Sequence, residues 1–249
     1  MSDYLDPLEA ARFQAHGLGD FEALWAIPLE PVDAPNLERG GQSWVYRLQL
    51  GDAAYYLKRQ VNHLSRSWRH PFGEPTFARE FRAIRRYRAL GVPALSAVFY
   101  GERRAAGEHR AILVTRALDG WSDLSSWLAR WPSLAAPTRQ AILGAVGDLV
   151  RRLHAQGQVH GCLYPKHLFL RERAPDAFEA CLIDLEKSRT LLLGRRDRLR
   201  DLDTLVRRGR GWTVDDVRQL LHGYLGGERG LEGWLARLTR RRLDKERRA

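Results

Sequence analysis

Residues 160–170 read His-Gly-Cys-Leu-Tyr-Pro-Lys-His-Leu-Phe-Leu, and residues 183–186 read Ile-Asp-Leu-Glu. The first stretch is a polar loop that ends in an apolar triplet, and the second is a hydrophobic run that ends in Asp184. Short strands are predicted at 168–170 and 180–183, on either side of an Ala-Pro-Asp turn. Two strand ends that meet in this way are typical of a functional site, so the loop and Asp184 are expected to lie together.

The loop follows the layout of a protein-kinase catalytic loop, H-R-D-x-x-x-x-N, after which an Asp-Phe-Gly supplies a magnesium-binding Asp. On this pattern His160 and Asp184 match, but Cys162 stands where kinases carry the catalytic Asp. A thiol is mostly neutral near pH 7 and is a weak hydrogen-bond acceptor. Two interpretations of Cys162 stay open: an altered catalytic position, or a small packed residue in a loop without proton transfer.

Length and composition limit the class of protein. A chain of 249 residues with 44% hydrophobic and 29% charged residues suits one large soluble domain or two lobes. It has no apolar run long enough to span a bilayer and no signal-peptide pattern at its start. Cys162 and Cys181 are too few for a disulfide framework, so a reducing cytoplasm is expected.

The net charge of +11 is unevenly distributed. Residues 1–36 carry seven acidic residues against one base, whereas residues 194–249 have a net charge of +7. The basic region favours an anionic partner such as nucleic acid, an acidic membrane or a phosphorylated substrate, and a solvated Arg-rich surface is the alternative. An RNA-binding role ranks last because no aromatic-on-sheet motif is present, and no specific nucleic acid is expected.

The first half of the chain is predicted to be rich in strands. Alternating residues predict one hairpin over 44–50 and 53–59 and a second over 97–101 and 111–115, with Val61 to Pro75 as a polar loop.

Two glycines, Gly40 and Gly41, precede the first hairpin, and Lys58 lies in its second strand. They could be a phosphate-covering loop and its lysine, or the glycines could form a plain turn. His63 and His70 make a poor metal site without further ligands, and none is assigned there.

Thr76 is predicted to cap a helix whose apolar face is Phe77, Phe81, Ile84 and Tyr87 and which ends at Gly91. Glu80 lies 22 residues after Lys58, about the spacing of the lysine–glutamate pair of a kinase. The alternative is a solvated charge paired with Arg79 or Arg82.

Beyond a hinge over 116–120, helical periodicity predicts a short helix at 124–128 and a long buried one at 142–153. Thr213 is predicted to cap a further helix, and residues 231–248 form a basic amphipathic end that either lies on an anionic membrane or packs on the helical half. The predicted fold class is α+β, a two-lobed protein-kinase-like fold with a small antiparallel N-lobe and a larger helical C-lobe. Its expected parts are an acidic arm over 1–36, packed on the N-lobe, the N-lobe over 37–116 and the C-lobe over 117–249.

Four motifs in this order resemble the lipopolysaccharide kinase family, in its InaA-like branch, which is related to the WaaP heptose kinases and the Kdo kinases. They are Tyr56-Leu57-Lys58-Arg59, His70-Pro71-Phe72-Gly73-Glu74-Pro75-Thr76 with Arg79-Glu80, His160-Gly161-Cys162-x-Tyr164-x-x-His167, and Asp184-Leu185-Glu186-Lys187-Ser188-Arg189. The resemblance extends from about Arg39 to Asp203. It implies an atypical kinase fold on the cytoplasmic side of the inner membrane, ATP and magnesium as cofactors, and phosphoryl transfer to a sugar of the lipopolysaccharide core or another phosphorylated glycolipid.

Carried over residue by residue, the resemblance implies that Lys58 contacts the α- and β-phosphates and that Glu80 orients Lys58. It also implies that Asp184 binds magnesium. His167 stands at the Asn position as a metal or nucleotide ligand, and Glu186 offers a second carboxylate that could replace the missing base.

Asp201 resembles the helix Asp that steadies the catalytic loop through backbone N–H groups. His160 and His154 are each either catalytic or structural, and the structural role is a hydrogen bond to the backbone near the loop. Cys162 leaves two functions open: an active kinase, or a pseudokinase that binds nucleotide or a partner in envelope assembly or stress response.

Overall fold

The structure, a computed structural model, describes residues 3–37, 40–67 and 70–246. The fold is mixed α/β, and the described strand pairs are antiparallel. Contacts group the chain into two compact units, the first of Met1–Arg86 with Leu95–Asp119 and the second of Tyr87–Ala94 with Gly120–Ala249. Each helix that the structure describes is too short or too polar to traverse a bilayer.

The first unit is built on a five-stranded antiparallel sheet of order β1-β6-β7-β3-β2, accompanied by a two-stranded hairpin. The third helix begins in this unit, and its last residues, from Tyr87, belong to the second unit. The elements in chain order are β1 (Tyr4–Leu5), α1 (Ala10–Ala15), α2 (Phe21–Ala26), β2 (Gln42–Leu50), β3 (Ala53–Val61), β4 (Leu64–Ser67), β5 (His70–Pro75), α3 (Thr76–Ala89), β6 (Ala97–Ala105) and β7 (Glu108–Arg116).

Both predicted hairpins are present and are longer than predicted. β2 pairs with β3 so that Leu50 faces Ala53 across the turn, and β6 pairs with β7 around Ala106 and Gly107. Ala106 and Gly107 both have positive φ, 51° and 80°, as a tight two-residue hairpin turn requires. The observed pairing confirms both hairpins. They are predictable because the alternating apolar residues and the turn residues specify the same register.

The N-terminal segment is an integral part of the first unit's core. β1 pairs with β6 at the sheet edge, and the buried side chains of Phe13, Phe21 and Leu24 belong to the same apolar cluster as the sheet. Glu9 accepts a hydrogen bond of 2.6 Å from the Tyr55 hydroxyl and pairs with an arginine of β7. Burial raises the pKa of Tyr55 to about 12, which keeps this hydroxyl a donor. Acidic residues of this segment therefore make internal bonds.

The prediction of a polar loop between Val61 and Pro75 is wrong, because β4 and β5 form a short hairpin there. Strand pairing satisfies the backbone N–H and C=O groups of this stretch. The stretch lacks the alternating apolar residues by which a strand is recognised in a sequence, so the sequence does not predict the hairpin. Arg69, within the predicted loop, lies outside the described residues, as does Arg39 at the start of the family resemblance.

The predicted cap of α3 is also wrong. The Thr76 hydroxyl donates to Oε1 of Gln60 at 2.9 Å, and the same oxygen accepts from the backbone N–H of Phe77 at 3.1 Å. A buried amide from β3 therefore takes the capping position, and a distant side chain is not visible in local sequence. The apolar face is confirmed, since its members are all buried: Phe77, Phe81, Ile84 and Tyr87.

The second unit is mainly helical and contains small antiparallel sheets of order β11-β10-β8 and β12-β9. The predicted short and long helices and the strand pair around the Pro175-Asp176 turn are confirmed, and so is the Thr213 cap. The elements are β8 (Ser122–Asp123), α4 (Leu124–Ala129), α5 (Ala136–Ala155), β9 (Gln158–Val159), β10 (Leu168–Ala174), β11 (Ala177–Leu182), β12 (Arg189–Thr190), α6 (Arg195–Arg208), α7 (Val214–Leu225) and α8 (Leu231–Glu246).

The apolar face of α8 packs inside the second unit, against α6 and α7. The side chains that form this face are all buried: Leu231, Trp234, Leu235 and Leu238. Of the two alternatives for this end of the chain, packing on the helical half is therefore correct for the described part, and residues 247 and 248 of the predicted stretch lie outside it.

Candidate active site

The first group of candidate residues lies in the first unit, where β3 presents Lys58 to α3. Nζ of Lys58 donates to both carboxylate oxygens of Glu80, at 2.8 and 2.9 Å. Glu80 is only 3% exposed, and a carboxylate buried to this degree requires a partner of opposite charge. The structure contains the predicted pair, and the alternative of a solvated Glu80 is wrong.

Gly41 lies where the chain enters β2, in close contact with the backbone after β3. A Cβ at this position would come within 2.3 Å of the carbonyl carbon of Asn62. Gly40 has a φ of 71° and open space around it. The structure thus explains Gly41 by a close backbone approach, and the predicted role of the two glycines over phosphates stays a prediction.

The second group lies in the second unit, on the loop between β9 and β10. Asp201 of α6 accepts hydrogen bonds from the backbone N–H groups of His160 at 2.7 Å and Gly161 at 3.0 Å. The predicted steadying role of Asp201 is thereby confirmed. Because Asp201 is buried, these bonds fix the start of the loop relative to α6.

Two further residues support Asp201: His154, and Tyr224, to which the sequence analysis assigns no role. Nε2 of His154 lies 3.3 Å from the Asp201 carboxylate, and Nδ1 lies 3.0 Å from the Tyr224 hydroxyl. Burial raises the pKa of Tyr224 to about 12, so the hydroxyl remains able to donate to Nδ1. This chain of side chains ties α5, α6 and α7 to the loop. His154 binds side chains here, rather than the backbone that was predicted.

His160 connects the loop to Ile183, the residue between the end of β11 and Asp184. Its Nε2 lies 2.9 Å from the carbonyl oxygen of Ile183, and a carbonyl can only accept, so Nε2 carries the proton. The ring is fully buried, and burial lowers its pKa. These contacts favour the positioning role of His160 over the catalytic one.

His167 brings the loop and Asp184 together. Its Nδ1 donates to the carbonyl oxygen of Cys162 at 2.8 Å, and its Nε2 lies 3.0 Å from Oδ2 of Asp184. Burial lowers the pKa of His167, and this effect exceeds the opposing influence of the Asp184 charge. In the neutral ring the proton sits on Nδ1, so the Nε2 lone pair faces a carboxylate oxygen. Two acceptors at this distance need a proton or a cation between them.

Asp184 has an unusual backbone conformation for a residue other than glycine, with φ 56° and ψ 62°. Such conformations cost energy and occur preferentially at functional sites. The side chain is 46% exposed, so its carboxylate is accessible from solvent. Glu186, half-buried, follows in the next short turn.

The donor set around Asp184 suits a magnesium ion that takes most of its ligands from elsewhere. Within residues 3–37, 40–67 and 70–246, no group of three or more His, Cys, Asp or Glu side chains is arranged to hold a metal ion. Magnesium is commonly bound by one or two carboxylates, with water and substrate phosphates completing its shell. Asp184 fits that pattern as the carboxylate, and the Nε2 lone pair of His167 faces the same position.

Cys162 is 7% exposed, and its carbonyl oxygen accepts from both His167 and the backbone of Tyr164. The loop therefore uses the backbone of Cys162 to hold its own shape. The thiol is buried, as the packing interpretation expects. The second cysteine, Cys181, is buried as well, and burial raises its pKa to about 12.

Comparisons with known proteins show a family that the chain is similar to. A model of the "Lipopolysaccharide kinase (Kdo/WaaP) family" matches residues 22–224. Protein InaA of Escherichia coli (strain K12) is 35% identical over 181 residues, which cover 72% of this chain and 82% of that protein. Lipopolysaccharide core heptose(I) kinase WaaP of Pseudomonas aeruginosa is 29% identical over 198 residues, or 68% of this chain and 69% of that protein.

A solved structure described as WaaP in complex with acyl carrier protein is similar, with a TM-score of 0.71 and 25% identity. The similarity covers 98% of this chain and 99% of that chain. The resemblance read from the four sequence motifs is therefore confirmed, and it supports a kinase-like role. The chain belongs to the lipopolysaccharide kinase (Kdo/WaaP) family.

Proposed function

We propose that this chain transfers a phosphoryl group from ATP to a sugar hydroxyl of the lipopolysaccharide core. The observation that carries the proposal is the buried carboxylate of Glu80, which accepts from Lys58 through both oxygens. Protein kinases use such a strand lysine and helix glutamate to place the phosphates of ATP. Membership of the family supports the same use here.

The proposal includes the two-lobed protein-kinase-like fold. The N-lobe comprises residues 37–116, with the acidic segment 1–36 attached to it, and the helical C-lobe comprises residues 117–249. Two observations support this division. The first compact unit ends at Asp119 and the second continues from Gly120, and the similarity to the WaaP structure extends over nearly the whole chain.

In this function Lys58 contacts the α- and β-phosphates, and Glu80 holds the ammonium group in place. Gly40 and Gly41 belong to the segment that covers the phosphates. Asp184 and His167 would hold magnesium, and His167 would bind through Nε2 or through a bound water, because imidazole is a less usual magnesium ligand than carboxylate. A bound magnesium ion neutralises charge on the phosphoryl oxygens. Glu186 adds a second carboxylate near the metal.

A pseudokinase is the second candidate, and the burial of Cys162 favours it. The thiol at the position of the catalytic Asp is only 7% exposed and offers no carboxylate to a sugar hydroxyl. General-base help is worth about 10²- to 10⁴-fold, so its loss slows transfer without abolishing it. Phosphoryl transfer depends mostly on positioning and charge neutralisation, which the remaining residues still supply, and the carboxylate of Glu186 could act as the base in place of the missing Asp.

We also propose that the chain works at an anionic membrane surface, on the cytoplasmic side of the inner membrane. Leu192 and Leu193 are 77% and 54% exposed, next to the exposed Arg195 and Arg196. The backbone N–H groups of both leucines donate to the buried Asp197, at 3.0 and 2.9 Å. Apolar side chains that are held outward and flanked by arginines suit insertion between anionic headgroups.

The test is phosphate incorporation into purified core lipopolysaccharide in the presence of ATP and magnesium, followed by mass spectrometry. We expect incorporation by the natural chain and its loss in Asp184→Asn. Asp176→Asn is the matched control, because Asp176 also has a positive φ of 55° but lies at the β10–β11 turn. A protein that binds ATP and magnesium but incorporates no phosphate would contradict the kinase proposal and favour the pseudokinase.

A further inference from the structure

A cavity of about 610 Å³ lies beside the loop of residues 160–167, entirely within the second unit. Its walls come from three places in the chain: helix α4, residues 164–166 of the loop, and the end of α6 with the residues that follow it. Cavities of this volume commonly hold small molecules.

One wall of the cavity is strongly basic. Lys166, Arg208 and Arg210 line it, and the described residues provide no acidic partner for any of the three. Arg207 also lines the cavity, but its charge is balanced by Asp203 at 3.1 Å. Three cations that lack an acidic partner among the described residues produce, around one concave surface, a positive potential that attracts an anion.

The basic wall is partly preorganised. The guanidinium carbon of Arg208 lies over the ring of Tyr164, 4.3 Å from its centroid, within the range of a cation–π contact. The Tyr164 ring in turn lies 5.3 Å from the ring of His167, the residue that faces Asp184. The side chain of Arg208 is therefore held next to the loop that carries the candidate metal site.

The remaining lining is suited to an uncharged, hydroxyl-bearing group. Ser125 and Leu128 of α4 lie on the cavity and supply a hydroxyl and an apolar surface. A polymeric nucleic acid is bound along an extended basic track, whereas this basic wall is confined to one cavity of small-molecule size.

We propose that this cavity binds a phosphorylated sugar, with Lys166, Arg208 and Arg210 on the phosphate and the α4 side on the sugar. Guanidinium groups match phosphate oxygens through parallel hydrogen bonds. The inference rests on the proposed function, because it assigns the subsite through which the same enzyme would recognise an acceptor that already carries a phosphate.

The experiment is isothermal titration of the full chain with a hexose 6-phosphate, the unphosphorylated hexose, inorganic phosphate and vesicles that contain phosphatidic acid. We expect binding of the hexose phosphate, and a loss of affinity of about tenfold or more in Arg208→Gln, the usual scale for one charge-assisted hydrogen bond. Lys166→Gln is the second variant, so that a folding defect in either one leaves the inference testable.

Arg130→Gln is the matched control. The Arg130 guanidinium lies 4.5 Å from the centroid of the Trp127 ring, the same kind of contact as that of Arg208, but outside the cavity lining. We expect this variant to bind the hexose phosphate like the natural chain. Equal weakening by Arg130→Gln and Arg208→Gln would overturn the inference, because it would mean that net charge alone governs binding.

The probes separate the possible sources of the phosphate. Inorganic phosphate that binds as tightly as the hexose phosphate would overturn the sugar part of the inference. Vesicle binding that depends on Arg208, without binding of the hexose phosphate, would overturn it in favour of a lipid headgroup.

A parallel titration with ATP and magnesium separates this inference from the proposed function. ATP binding without hexose phosphate binding would overturn the subsite and leave the kinase proposal intact. Hexose phosphate binding that depends on Arg208, without any ATP binding, would support the subsite and contradict the kinase.

Discussion

Cys162 lies in the loop of residues 160–167, where the H-R-D pattern of kinases predicts a catalytic Asp, and it is buried. If only this group limits the rate, Cys162→Asp restores an acceptor for the sugar hydroxyl. We expect phosphate transfer to become about 10²-fold faster, at the low end of the range for general-base help. Initial rates with ATP and core lipopolysaccharide measure the change.

Cys162→Ser is the control for this prediction, because it keeps a small neutral side chain and is expected to leave the rate nearly unchanged. An Asp variant that folds and binds ATP but shows no faster transfer would contradict the view that the missing carboxylate slows the reaction.

At the residue scale, the spacing of the motif predicts which residues lie together, but it does not predict the protonation of the histidine rings. The motif places His160, His167 and Asp184 on one loop and the strand end after it, as the structure has them. The sequence does not indicate which ring nitrogen faces which group. It also does not indicate that burial lowers the pKa of both histidines, since this depends on residues far along the chain.

Helix α5 offers a direct test of packing at the scale of elements. A Cβ on Gly147 would come within 2.4 Å of the carbonyl oxygen of Leu220 in α7, whereas a Cβ on Gly144 would meet nothing within 4 Å. We expect Gly147→Ala to lower the free energy of unfolding by about 1–3 kcal/mol, and Gly144→Ala to raise it by up to about 1 kcal/mol.

Chemical denaturation measures both glycine variants. Equal effects of the two substitutions would contradict the close packing of α5 on α7. The Gly144 variant serves as the matched control, because it changes the same helix by the same methyl group.

The turn that presents Leu192 and Leu193 depends on Asp197 in the first turn of α6. Arg189 donates to this carboxylate at 2.7 and 3.0 Å, and its hydrogen bonds hold the pKa of Asp197 well below the usual range. A carboxylate with a lowered folded-state pKa stabilises the protein above its unfolded pKa of about 4, and this contribution is lost as the pH falls below that value.

We therefore expect Asp197→Asn to lower the free energy of unfolding by about 2–4 kcal/mol at neutral pH, because the variant leaves buried donors poorly paired. The difference from the natural chain should shrink as the pH is lowered below about 4. Denaturation curves over pH measure this, with Asp215→Asn, whose side chain is 91% exposed, as the control. A difference that stays constant with pH would contradict the argument.

Elements are predictable from sequence where local pattern and tertiary contacts agree. The two large hairpins and α5 follow from alternation and helical periodicity. The hairpin of β4 and β5 and the Gln60 cap of α3 do not, because backbone pairing and a side chain from another strand decide them. The amphipathic α8 is ambiguous in sequence, since an apolar stripe fits either a membrane or a protein neighbour.

At the scale of the whole molecule, the net charge of +11 is expected to attract the chain to an anionic membrane. Because α8 buries its apolar face, the exposed pair Leu192 and Leu193 becomes the candidate for insertion. We expect replacement of both by Glu to weaken binding to anionic vesicles by at least about tenfold, the scale of one lost apolar side chain.

Vesicle co-sedimentation at fixed salt measures this effect. Val214→Glu is the control, because Val214 is 55% exposed at the start of α7, away from the leucine turn in sequence. Vesicle binding that is unchanged in the double leucine variant would contradict the assignment of this turn to the membrane.

The proposed function requires that Lys58 and Glu80 take part in binding ATP and that Asp184 takes part in binding magnesium. Isothermal titration with ATP, with and without magnesium, tests it in the natural chain, in Asp184→Asn and in the double variant Lys58→Met with Glu80→Gln, which removes both charges of the buried pair together. We expect magnesium-dependent binding by the natural chain, loss of the magnesium dependence in Asp184→Asn, and affinity at least about tenfold lower in the double variant. Binding of ATP that neither variant changes would contradict this requirement.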